Sequence, residues 1–125
     1  MAVTGTVNGY IQKLSAPYLP EGIIKWAGPS SYTRVTAGTP PSGGDEIPAK
    51  TLGVNEILTI AAQGSYSGNF DVIPFRINPN IWGLRWIALV TATVGGQAQT
   101  AGTEAAASTN LSAEYVHLFV KTRSA

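Results

Sequence analysis

The dominant pattern along the chain is alternation. In "NFDVIPFRI" Phe70, Val72 and Pro74 fall on one side, while Asp71, Ile73, Phe75 and Ile77 fall on the other. In "EYVHLFVKT" Val116, Leu118 and Val120 oppose Tyr115, His117, Phe119 and Lys121. A period of two predicts half-buried strands. "LRWIALVTATV" alternates Leu84, Trp86, Ala88, Val90 and Ala92 against Arg85, Ile87, Leu89, Thr91 and Thr93. Its near-continuous apolarity predicts a central strand, covered on both faces for part of its length. "EILTIAA" reads as a further strand. "GIIKWAG" and "YTRVT" read as two short ones split by the turn "GPSS". "TGTVNGYIQKL" is a first strand, or a hairpin turning at Asn8-Gly9. Pro74 has no N–H to give a ladder, which places its strand at a sheet edge or a bulge.

Between these segments lie "SAPYLPEG", "TAGTPPSGGDEIP", "GSYSG" and "INPNIWG", which take much of the 14 Gly and 8 Pro. Short strands with such punctuation predict an all-β fold. The expected form is one antiparallel β-sandwich or barrel-like domain over residues 1–125, with long Gly/Pro/Thr-rich loops or arms. Residues 36–48 read as a long surface loop. Residues 95–113, almost all Ala, Thr, Gly, Ser and Gln, read as an arm. Thr103 caps one or two helical turns from Glu104, or the segment is an extended connection, or it is simply a mobile loop. In the first two forms its order is expected to come from neighbours.

Composition narrows the function. A chain of 125 residues buries a sufficient core without staples, and with no Cys it has no disulfide or thiolate metal site. Eight basic against seven acidic residues, a net +1, give no reason to expect nucleic acid or an anionic membrane as partner. Only 12% of residues are charged, about half the usual ~25%. Either Ser, Thr, Asn and Gln replace the charges, or surface is hidden against partners. The N-terminus shows no signal-peptide pattern, and the longest apolar run, residues 86–90, is too short to cross a bilayer. The expectation is a soluble protein made in a cytoplasm.

Candidate chemistry is sparse. The lone His117 sits in an apolar strand with no second His or Cys to complete a zinc site. No nucleophile elbow surrounds a serine, since the centre of "GSYSG" is Tyr66. Asp45 and Glu46, adjacent in a Gly/Pro-rich loop, tend to point apart and lack the spaced oxygen ligands of a calcium loop. No phosphate-binding or dinucleotide fingerprint is present. The expectation is therefore no enzyme, with no catalytic, cofactor or metal residues. Among the aromatics Trp86 is expected in the core. Trp82, in "NPNIWG", and Tyr66, in "GSYSGNF", are the candidate interaction anchors, because interfaces favour Trp and Tyr.

A small, cysteine-free, charge-poor β domain with the stretches "AGTPPSGGDEIPA", "GSYSGNF" and "TAGTEAAASTNLSAEYVHLFV" resembles the virion structural proteins of tailed bacteriophages, especially capsid decoration (cement) proteins. The resemblance is one of style across the whole chain, so it carries over no individual residue. It implies a β-rich fold in a virion, bound to a lattice of major capsid protein and self-associated as a homo-oligomer, a trimer above all. The alternative is a carbohydrate- or receptor-binding β-sandwich module of a tail or surface appendage, with exposed aromatics stacking on glycans.

Overall fold

The computed structural model describes residues 21–123; the segment expected as a first strand around Asn8-Gly9 lies outside them. The fold is all-β and antiparallel, without a closed barrel. Its strands are β1 (Glu21–Ala27), β2 (Asp45–Pro48), β3 (Glu56–Ala62), β4 (Phe70–Asn78), β5 (Ile81–Ala88), β6 (Ala92–Val94), β7 (Gln97–Gln99) and β8 (Tyr115–Arg123). One 3-10 turn, Ala49–Leu52, follows β2. Two three-stranded sheets, ordered β1-β8-β3 and β2-β5-β4, enclose one core, and β6-β7 forms a separate hairpin.

The alternation places the core as expected. β8 turns Val116, Leu118 and Val120 inward, and β4 does the same with Phe70 and Val72. Both β5 and β8 are central strands, and Pro74 lies on β4, at the outer edge of its sheet. There its missing N–H interrupts no ladder.

Three expectations are corrected. The run from Leu84 is not one strand: it breaks after Ala88 and resumes as β6. "YTRVT" forms no strand. Tyr32 is buried in the core, the backbone at Tyr32 pairs with Ser108 and Thr109, and the Val35 N–H goes to the Glu104 carboxylate. Residues 36–48 are not wholly loop either. Thr36 and Ser42 exchange backbone hydrogen bonds of 2.8 and 3.1 Å to close a short excursion, and Asp45–Pro48 then pairs with β5.

The Ala/Thr-rich segment is also unlike the expected arm. It contains no helix, and it is ordered by its own chain. Gly95 and Gly96, at φ +61° and +81°, make the two-residue turn between β6 and β7, the positive-φ geometry that suits a tight hairpin. Residues 102–105 then pair with β5 beyond the end of β2, through Ala88 N–H to Thr103 O and Ala105 N–H to Trp86 O, both 2.8 Å. Residues 108–114 run back along residues 28–32, and Leu111 is fully buried. Gly28 permits this contact, since a Cβ there would stand 2.5 Å from the Leu111 carbonyl oxygen. Buried Gln99 ties the pieces together. It donates to Thr109 Oγ1 (3.0 Å) and accepts the Ala106 N–H (3.0 Å).

Candidate interaction surface

Strand register builds a partly exposed apolar strip on the outer face of the β1-β8-β3 sheet. Ile23, Phe119 and Ala61 share one row, because Ile23 and Ala61 both pair with Phe119. Lys25 pairs with His117 in the next row, and Ala27 with Tyr115 beyond it. Each of these side chains alternates with a core residue such as Ile24, Trp26, Val116 or Leu118, and so points outward. Ile23 is 64% exposed. Between Ile23, Ala61, Gln63, His117 and Phe119 lies a shallow hollow of about 160 Å³.

Tyr66 extends this strip at the Tyr115 end. The turn carrying it is held by Ser65 and Ser67: Ser65 Oγ accepts the Phe70 N–H (3.1 Å), Ser67 Oγ accepts the Asn69 N–H (3.1 Å), and the Ser67 hydroxyl donates to Glu114. The Tyr66 N–H reaches Tyr115 O at 2.9 Å. Thus fixed, the Tyr66 ring stacks on Tyr115 at 4.8 Å and 17°, yet remains 76% exposed. Lys25 Nζ stands over the Tyr115 ring, 4.1 Å from its centre, a cation–π contact. Desolvation first, and then the neighbouring Tyr66 hydroxyl, raise the Tyr115 phenol above its ordinary value. His117 meets the Tyr115 ring edge-on at 6.0 Å and is exposed.

Of the two expected anchors, Tyr66 lies on this surface and Trp82 does not. Trp82 belongs to β5 rather than a loop. It is half-buried against the core, with Nε1 donating to Ile57 O at 3.1 Å. Sequence reasoning missed Ile23, Lys25, Tyr115 and Phe119 as surface partners. The signal was present in "GIIKWA" and "EYVHLFV": whatever alternates with the core residues must face out.

Two other carboxylates, Asp45 and Glu104, are tied into the fold. Asp45 is 1% exposed and its Oδ2 accepts both the Trp26 indole N–H (2.8 Å) and that of Trp86 (3.2 Å). Its strand neighbour Glu46 faces the other way. Glu104 accepts the Tyr32 hydroxyl (2.7 Å) and the Val35 N–H (2.7 Å) beside Arg34 (3.4 Å). Among the described residues no cluster of three or more His, Asp or Glu side chains is placed to hold a metal. A larger hollow of about 360 Å³, lined by Pro48, Ala49, Lys50, Val54, Asn80 and Ile81, offers only Lys50 as a charged group. Comparison with protein-family models, curated proteins and solved structures gives no match.

Proposed function

We propose that the protein is a non-enzymatic structural component of a virion. It binds a lattice of major capsid protein and stabilises it through many weak contacts repeated over a shell. The observation that supports this reading best is the strip of Ile23, Phe119, Tyr115 and Tyr66, in which Ile23 and Tyr66 are exposed and Phe119 and Tyr115 half-buried between them, on a chain only 12% charged. Repetition makes modest affinity per subunit sufficient. With residues 95–113 packed on their own chain, the docking contact in this reading is a preformed sheet face rather than an arm, which loses less entropy on binding. The resemblance to decoration proteins supplies the kind of partner.

Co-sedimentation with assembled capsid shells tests it. Tyr66→Ala is expected to weaken shell binding by roughly thirtyfold, the effect of losing an aromatic worth ~2 kcal/mol. Retention on shells unchanged by Tyr66→Ala and Ile23→Ser would defeat the reading. A second reading, a glycan-binding module, is favoured by the exposed Tyr66 ring in a turn that bears Ser67 and Asn69 and is met by Glu114. On that reading Tyr66→Ala abolishes retention on a glycan array and leaves shell binding as it was.

A further inference from the structure

The outer face of the other sheet carries two charges, Arg85 and Glu46, that find no partner among the described residues. There β5 presents Gly83, Arg85 and Ile87, β4 presents Asp71, Ile73 and Phe75, and β2 presents Glu46. Each alternates with core residues such as Asp45, Ile47, Val72, Leu84 and Trp86. Arg85 Nε is buried without an acceptor, and among the described residues its guanidinium meets no carboxylate. The Glu46 side chain makes no hydrogen bond or ion pair among those residues, whereas Asp71 accepts the Val72 N–H at 3.0 Å. Phe75 and Val35 lie over the glycines of this face: a Cβ on Gly44 would stand 3.1 Å from Val35 Cγ2 and 3.4 Å from Phe75 Cε1. A Cβ on Gly83 would stand 2.4 Å from Phe75 Cζ, so the ring lies down on the glycine. Ile73, directly opposite Arg85 in the ladder, is 48% exposed.

We propose that this face binds a second copy of the same chain, sheet on sheet, about a two-fold axis crossing the strands at the level of Leu84. Glu46 pairs with Gly83, two residues from Arg85 along β5. Such an axis sets Arg85 of each copy over the Gly83–Phe75 contact of the other, beside the partner's Glu46. An unpaired cation and an unpaired anion on either side of one point make a face complementary to itself under two-fold rotation. Any unrelated partner must supply both signs in the same spacing. Ile73, Phe75 and Ile87 fill the rest of the contact. Strands of four, eight and nine residues span roughly 330 Å² per copy, under half the ~800 Å² of a standard interface. The pairing is therefore weak and concentration-dependent, and it gives a dimer rather than a trimer. It uses the sheet opposite the lattice-docking strip, so either association can fail without the other.

The test is the solution mass of the full chain by sedimentation velocity, from about 10 µM to 1 mM, the range in which so small a contact saturates. The wild type is expected to rise from 13.1 kDa toward twice that mass. Arg85→Glu and Glu46→Arg should each stay monomeric, and the double variant should dimerise again. Thermal unfolding of each variant reports its fold; if Arg85→Glu proves unfolded, Glu46→Arg, on the short outer strand, carries the test alone. A wild type monomeric at 1 mM overturns the proposal. So does a dimer indifferent to both reversals, or single losses that the double variant does not repair.

Discussion

Asp45 has an environment that its neighbours in the sequence do not announce. Preceded by Gly43-Gly44 and followed by Glu46, it reads as a loop acid. In the fold it is the second buried end of two indole N–H bonds, one from Trp26 in the first sheet and one from Trp86 in the second. Removing it leaves two buried donors unmet, at about 1–3 kcal/mol each. Asp45→Ala is accordingly expected to lower unfolding stability in urea by about 3 kcal/mol or more. Asp45→Asn, which keeps one acceptor oxygen, should lose less. What was legible here was only that adjacent carboxylates diverge. The burial of one was not, because a four-residue strand carries too few alternations to reveal its phase.

Among the elements, the long strands were legible because each repeats its alternation three or four times, as β4 and β8 do. The segment after β5 was not, and the reasons lie in particular residues. Gly95-Gly96 is a hairpin signal, but Ala92–Val94 and Gln97–Gln99 supply strands of only three residues. Leu111 is the apolar anchor of the stretch, standing alone among small polar residues, and Gln99 holds the rest through side-chain bonds that have no period. The two turn glycines separate geometry from packing. A Cβ at Gly96 meets nothing within 4 Å, whereas one at Gly95 would stand 2.2 Å from Asn110 O. Gly96→Ala should therefore cost about 1 kcal/mol, the strain of a left-handed backbone. Gly95→Ala should cost clearly more and raise amide exchange at residues 98–111, because the hairpin can no longer dock on that segment.

At the scale of the whole molecule, the sandwich class was readable from strands and turns, while the pairing of its sheets and the closing of its core were not. Tyr32 illustrates the gap. It lies outside any strand, yet its hydroxyl donates to Glu104 and accepts the Trp86 N–H at 3.2 Å, joining three distant parts of the chain. Burial first, and the Glu104 carboxylate next, push its phenol well above the ordinary value. Folded, Tyr32 keeps its proton where the unfolded chain has lost it. Above about pH 10 the unfolded state binds fewer protons, so stability, complete below that pH, declines by up to ~1.4 kcal/mol per pH unit. Urea midpoints from pH 8 to 12 should fall steeply at the alkaline end. Tyr32→Phe should be weaker at neutral pH and show a shallower alkaline slope.

The two indoles that meet on Asp45 come from opposite layers, and a third, Trp82, stands half-buried at the rim. Tryptophan light emission responds to exactly the kind of change that parting the layers would bring: loss of a charged acceptor and entry of water. The molecule therefore carries its own optical gauge at the seam between its layers. Any binding event that strains the seam, at either outer face, should be visible in that signal without a label.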